Sequence, residues 1–586
     1  MADTATAPSR RPRELARNVA LLATTGARHL TDDPLLLAVQ VARRLPTAWR
    51  APLAHVIALG TTPSRPGVRT VLAEFVADRP AHAASLIAHC PEPRSSVGRR
   101  LLGELAVALG QAAPLSAARS TRARAAWNRG DISGAVNIAR SGGETSHYAS
   151  RLESDLETMQ PGFRLAAPQA SGHISSTGDQ LRVLHVLTNS LPHTQSGYAI
   201  RSHAVLRAQR EAGLDARAVT RVGYPVSVGL PRAHSLDVVD GVPYRRLLPP
   251  HLAGRPGPRL QQMVDAALPL TEQHAPHVLH TTTNFTNALV TEALARSLGV
   301  PWVYEVRGVL EETWLASRHP SFRAEAAASE RYALLRAKET ELMLAADHVV
   351  VLSEVSRAEL VRRGVPDARI TTVPNAIDHR LLALQFEPDD ARRRLGLPVE
   401  GFWIGSVSSL VDYEGFDTLL EAVALLRRDG LDVRAALVGD GVSRPELLRL
   451  AADLGIGEAV VLPGRVPHEN AWLWHRALDV FAVPRRDLPV CREVTPLKPI
   501  EAMAGGRPVV ASDLPALREI VDTPGAGLLA APERPEAFAS AVARLLESSE
   551  LRDGYGDAGR SFAATRTWQR NARIYRKVYQ AVGVTE

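Results

Sequence analysis

The chain has 586 residues, of which 45% are hydrophobic and 22% charged, with a net charge of +7. This is an ordinary globular composition, but the chain is too long for one core at a prior of roughly 150 residues per domain. No run of about 18 apolar residues could span a bilayer, the apolar stretch at 19–23 is interrupted by Thr24, Thr25, Gly26 and Arg28, and two cysteines, Cys90 and Cys491, are too few for a disulfide framework. An integral membrane protein and a disulfide-built secreted one are thereby excluded, and the expected place is the cytoplasm.

The charge is uneven: residues 1–180 hold 21 arginines against 14 acids, whereas 181–586 hold 48 basic and 48 acidic residues. Scattered single arginines read first as a solvated face. An anionic membrane face or an acidic protein partner is the alternative. No zinc-finger spacing or interleaved aromatic motif accompanies the charge, so nucleic acid is not an expected partner.

Along the chain, residues 1–165 show apolar spacing near the helical period, as in LLLAVQVARRL (35–45), VLAEFVAD (71–78) and LLGELAVAL (101–109). This predicts an all-α region of helical hairpins. The segment 123–140, with Gly130-Asp131 at its turn, resembles one tetratricopeptide-type unit. The polar stretch 166–180 reads as a linker. This region carries no clustered catalytic groups, which predicts recruitment of a partner, or docking near an acceptor, rather than chemistry.

From Leu181 short β-rich runs alternate with amphipathic segments. They are LRVLHVLTN (181–189), HVLHTTT (277–283), PWVYEVR (301–307), HVVVLS (348–353) and RITTVPN (369–375). The same grammar restarts after a linker near 384–400, with FWIGSVSSL (402–410), VRAALVGD (433–440), AVVLPGRV (459–466), DVFAVPR (479–485) and RPVVAS (507–512). The predicted fold class is α/β: two facing Rossmann-like parallel-sheet domains, 181–384 and 385–565, followed by a C-terminal helix at 566–586 that packs back toward the first of them. Ligands of such sheets lie beyond the carboxyl ends of the strands, so the cleft between the domains is the expected site.

In CREVTPLKPIEAMAGGRPVV, Glu493 and Glu501 are separated by seven residues, and the second lies in the first turns of a helix beginning near Leu497. A helix start suits a diphosphate, whereas carboxylates suit hydroxyls. The expected roles are therefore a sugar hydroxyl for Glu493 and a ribose diol for Glu501. The chain has only three lysines, at 338, 498 and 577. Lys498, between the two glutamates, is thus favoured as a phosphate ligand over a structural salt bridge with a neighbouring glutamate.

The Glu493-x7-Glu501 segment with AMAGGRPVVASDLPALREIV, together with VGDG (438–441), PGRV (463–466), VPNAID (373–378) and GAGLLAAP (525–532), resembles the group 1, or family 4, glycosyltransferases of the GT-B fold. In the first half NSLPHTQSGYAIRSHAVLRAQREAG (189–213), VTRVGYP (219–225), HTTTNFTNAL (280–289) and YEVRGVLEETWLASR (304–318) carry the same resemblance, which spans about 181–580. It implies a GT-B architecture with an acceptor-side first domain and a donor-side second domain. The implied reaction is retaining transfer from a nucleotide sugar, UDP- or GDP-linked, to a hydroxyl-bearing acceptor, without an obligatory metal or other cofactor.

Carried over residue by residue, the resemblance puts Gly197 at the diphosphate, and Thr495, Leu497 and Arg485 with Glu501 around the donor. His280, Asn284 and Glu305 are placed at strand ends facing the cleft, and Glu493, Lys498 and Arg307 at the reacting centre. Arg307 stands where many members carry histidine, and a fixed cation there suits phosphate or carboxylate recognition rather than proton transfer. Ser409 and Glu414 stand where a basic pair is usual, so Lys498, with Arg485 and Arg486 behind it, is expected to compensate. A GT-B epimerase or phosphorylase and a catalytically inactive sugar-nucleotide sensor are the competing readings.

Overall fold

The structure is a computed structural model that describes residues 10–32, 47–61, 66–114, 116–141, 147–170, 180–384, 386–467 and 470–583. The predicted helical run at 35–45 lies outside the described residues. The other two predicted runs fall in the helices Val68–Val76 and Ser96–Ala108. The segment 123–140 forms a hairpin of Arg119–Arg129 and Ile132–Arg140, turned by Gly130 at φ +93° and capped by the Asp131 carboxylate on Gly134 N. One such hairpin does not by itself make a tetratricopeptide array.

The first sheet holds β1 (Arg182–Leu187), β2 (Asp215–Thr220), β3 (Leu236–Val239), β4 (Val242–Arg246), β5 (Val278–Thr282), β6 (Trp302–Glu305), β7 (His348–Val351) and β8 (Ile370–Thr372). Their order is β3-β4-β2-β1-β5-β6-β7-β8, parallel throughout except for β3 against β4. The second sheet holds β9 (Phe402–Val407), β10 (Val433–Val438), β11 (Val460–Gly464), β12 (Val480–Val483), β13 (Val509–Ser512) and β14 (Gly527–Ala530), wholly parallel in the order β11-β10-β9-β12-β13-β14. Strands such as VFAV in β12 and HVVV in β7 are buried on both faces, which is why they read as unbroken apolar runs rather than alternating ones. In each sheet the strand order reverses beside the first strand, at β1/β5 and β9/β12, and the crevice a ligand can enter opens there. The sequence reading missed β2, β3, β4 and β14, which are short or carry charged residues in their runs.

Of the two segments read as linkers, the start of the first and a helix of the second are fixed in place. At the first, Leu165 is buried, and both Ala166 N and Ala166 O are held by the Gln261 amide. At the second, the helix Pro388–Leu395 buries Arg392, which donates to Ala477 O and pairs with Asp479 at 2.6 Å. Nor is the helical region a tethered module. Leu21, Ile132, Met159 and Leu165 share one core with Leu184, Val186 and Leu279 of the first sheet. Lys338, fully buried, donates to Phe163 O at 2.8 Å and pins the end of that region.

The helix Trp568–Ala581 crosses to the first domain, where Tyr575 and Tyr579 join Val183, Val278, Val303 and Val350 in one cluster. Among the described residues no helix is long and apolar enough to cross a membrane.

Candidate active site between the two domains

In the second domain, Glu493 ends the short helix Pro489–Glu493 and Lys498 opens the helix Lys498–Ala504, with Leu497 at its cap. Glu501 lies one turn in. Burial works to raise its pKa, but Lys498, with Nζ 3.0 Å from Oε2, and His475, with Nε2 3.4 Å from the same oxygen, hold the carboxyl well below the ordinary range. Lys498 therefore stands in an ion pair with Glu501, the arrangement weighed against a phosphate ligand in the sequence.

Glu493 is the opposite case. Burial pushes its carboxyl up to about 7, the carboxylates of Glu359, Glu312 and Glu311 push the same way, and Arg363 opposes them. Its Oε2 is buried without a hydrogen-bond partner, and Ser356 Oγ donates to its backbone carbonyl from the first domain. These two carboxyls are thus shifted in opposite directions: the cations beside Glu501 outweigh its burial, whereas burial and the neighbouring carboxylates act together on Glu493.

Thr495 is buried, and its carbonyl accepts from Asn375 Nδ2 at 2.9 Å. Arg485 is buried in a bidentate pair with Glu414, at 2.8 and 3.1 Å, and donates to Val494 O. Gly415, at φ +70°, lets the two loops approach: a Cβ there would stand 2.0 Å from Pro484 O. Arg486 is tied to Asp412, Asp417 and Glu533. Both arginines named behind Lys498 are therefore committed to carboxylates of the chain.

The first domain departs further from expectation. Glu305, His280 and Arg307 are at most 4% exposed and do not line the cleft. Glu305 binds Arg201 at 2.9 Å, Arg307 at 3.0 Å, His280 at 3.0 Å and the Tyr575 hydroxyl at 3.0 Å. Burial works to raise its pKa, but the two guanidiniums hold it well below the ordinary carboxylate range. His280 stacks on His185 and reaches the Tyr579 hydroxyl, and burial lowers its pKa. Arg307 spends its remaining donors on Tyr198 O and Ser202 Oγ. The carboxylate that Arg307 recognises is thus the chain's own, because the helix Trp568–Ala581 covers these strand ends. Asn284 stands just before the helix Phe285–Leu298 without a side-chain bond to its backbone, and its Oδ1 accepts from Thr286 Oγ1. Gly197 opens the helix Gly197–Glu211 after the Ser196 cap, and a Cβ there would meet nothing within 4 Å, so the space before this loop is open.

A cavity of about 600 Å³ lies between the domains. Leu191 and Gln195 of the Gly197 loop line one side, and Leu497 and Glu501 the other, joined by Trp472 and His475. The Arg207–Asp378 pair, at 2.5 Å, closes an edge. His475 and Trp472 escaped the sequence reading because AWLWHRA looks like an ordinary apolar helix, and only the packing turns His475 onto Glu501. Among the described residues no group of three or more His, Cys, Asp or Glu side chains is arranged to hold a metal ion.

Two family descriptions fit the chain domain by domain: "Glycosyl transferase 4-like domain" over residues 196–376 and "Glycosyl transferases group 1" over 388–562. The chain belongs to the group 1, family 4 glycosyltransferases. It is similar to D-inositol 3-phosphate glycosyltransferase 1 of Catenulispora acidiphila, 29% identical over 323 residues, which are 52% of this chain and 72% of that one. Of the next three curated relatives the chain covers about half, 46% to 57%.

Two solved structures share the GT-B fold. Sucrose-phosphate synthase from Thermosynechococcus elongatus has a TM-score of 0.57 at 22% identity, with 69% of this chain and all of that one covered. Anabaena HepE in complex with UDP has a TM-score of 0.52 at 18% identity, with 68% and 100% covered. As a group 1 glycosyltransferase the chain is a sugar-transferring enzyme, with its two matched regions meeting at the cavity that holds Glu501.

Proposed function

We propose that this glycosyltransferase moves a sugar, with retention, from a UDP- or GDP-sugar to a hydroxyl-bearing acceptor, without a metal. The observation that carries this reading is the Glu501 carboxylate, kept ionised by Lys498 and His475 on the wall of the 600 Å³ cavity. An ionised carboxylate is an acceptor only, and the two vicinal hydroxyls of a ribose are donors that match it. The HepE neighbour was solved in complex with UDP, which supports a nucleotide-linked donor.

The diphosphate then extends toward the open space before Gly197, with Lys498 as the nearest cation of the motif. Glu493, whose carboxyl burial pushes up to about 7, can when protonated donate to a sugar hydroxyl as well as accept from one. In the transfer the bond between the anomeric carbon and the leaving phosphate oxygen breaks, and the acceptor oxygen forms its bond on the same face. The acceptor proton passes to the departing phosphate. The protein's part is positioning and charge stabilisation.

Glu501→Ala should remove donor binding, measured by calorimetry against UDP-, GDP-, TDP- and ADP-sugars at a temperature where the variant stays folded. Unchanged affinity in a folded variant would sink the assignment. Slow donor hydrolysis by the unmodified enzyme separates a transferase from a sensor that only binds.

A further inference from the structure

A second cavity, about 910 Å³, is larger than the first and is walled by all three parts of the chain. Val107, Leu109 and Arg129 come from the helical region, Arg318 and Phe322 from the first domain, and Tyr413 from the loop after β9. We propose that this cavity is the acceptor site of the same enzyme and takes an uncharged oligosaccharide or glycoside. The inference deepens the proposed transfer and rests on it.

The helical wall is fixed. Gly130 sits so close to the first domain that a Cβ would stand 2.6 Å from Ser329 Cβ, and its carbonyl accepts from Arg331 N at 3.0 Å. Ser133 N and Oγ both donate to the Glu330 carboxylate, at 2.6 and 2.5 Å, and Arg318 donates to Asn128 O at 3.1 Å. Such a surface is part of the enzyme body and can define a binding site as rigidly as the sheets do.

The lining chemistry selects the ligand. Three arginines, Arg129, Arg318 and Arg323, balance three acids, Glu325, Asp412 and Glu446. Arg323 and Asp412 meet across the domains at 3.2 Å, and the Arg129 guanidinium lies over the Phe322 ring at 5.5 Å. An anion would want an excess of cations, and a wholly apolar ligand would leave these charges desolvated without partners. A sugar matches both features: its hydroxyls donate and accept, and its C–H faces pack on Phe322 and Tyr413.

The cavity is also near the reaction. Thr313 and Ala316 of the helix Leu310–Ala316 line it, and the same helix carries Glu311 and Glu312, whose carboxylates act on Glu493. Glu312 and Ala316 stand one turn apart on the same face of that helix, so the cavity adjoins the element whose carboxylates face Glu493.

The full chain is titrated by calorimetry with maltotriose, cellotriose, a neutral glycolipid analogue such as octyl maltoside, and inorganic phosphate. At least one of the three sugars should bind the unmodified protein, and phosphate should not displace it. Ala108→Trp, which fills the helical wall, and Arg129→Ala should each weaken that binding tenfold or more and lower transfer to the same sugar, while UDP-sugar affinity stays within twofold. Glu501→Ala should do the reverse, losing the donor and keeping the sugar. Sugar binding that survives both cavity variants at unchanged Tm overturns the site, and failure of all three sugars, or displacement by phosphate, overturns the ligand class. Donor affinity that survives Glu501→Ala counts instead against the donor reading, whatever the cavity variants do.

Discussion

Strand ends of the two Rossmann-like domains carry similar chemistry and put it to different use. In the first domain the set is Glu305 and Arg307 at the end of β6 with His280 in the neighbouring β5; in the second it is Glu493, Glu501 and Lys498, after β12. The first set is sealed under the helix Trp568–Ala581 and every member is spent on another, whereas Glu501 opens on a cavity and Glu493 keeps a buried oxygen unpaired. A charged residue at a strand end is therefore not a ligand by position alone. What covers it decides whether it binds a substrate or braces the fold.

The largest expected effect tests the sealed set. Glu305→Gln should leave Arg201 and Arg307 as uncompensated buried cations, a loss of about 3–5 kcal/mol by denaturant unfolding. Donor affinity at low temperature should change little. A variant with unchanged stability and lost donor binding would break the comparison and return Glu305 to the site.

On the open side, Lys498→Ala should cut kcat on the order of 100-fold, about 3 kcal/mol of transition-state stabilisation, with Lys498→Arg recovering part. Because Lys498 also holds Glu501 ionised, the pH profile of donor binding should move in the alanine variant, its acid limb shifting upward. Near-normal turnover at saturating donor would leave Lys498 as the counter-ion of Glu501 and nothing more.

A smaller effect follows from buried acids that are not paired with cations. Burial pushes Glu339 from an ordinary 4.5 to about 7, and its two oxygens accept from Phe285 N and the Tyr304 hydroxyl. A raised folded-state pKa means that the native state holds more protons than the unfolded chain between about pH 4.5 and 7, so this group makes stability fall as pH rises through that window. Glu339→Gln, which cannot ionise, should flatten the slope of Tm against pH there. An unaltered slope would show that Glu339 is not the group responsible. The smallest expected effect is none: EDTA should leave turnover intact, and a complete, metal-reversible loss would count against the proposed mechanism.

The periodicity of the sequence specified the two parallel sheets, because strands buried on both faces must be written in apolar residues. The resemblance in the Glu493–Glu501 segment specified the family in the same direct way, since those motifs keep their order along the chain. The reading stopped where partners come from distant segments. His475 lies 26 residues before Glu501, and Tyr575 lies 270 after Glu305. No local pattern records that the first pair lines a cavity while the second is buried away from it. Glu414 and Arg485 read as a missing clamp and a spare cation until Gly415 brings the two loops together. The 166–180 stretch is polar enough to read as a tether, yet the buried Leu165 and the Gln261 amide on Ala166 fix its start. Composition and period thus set which elements form, because those depend on neighbours in the chain. Whether a charge ends as a ligand or a brace was decided only by tertiary packing, because desolvation and ion pairing depend on neighbours in space.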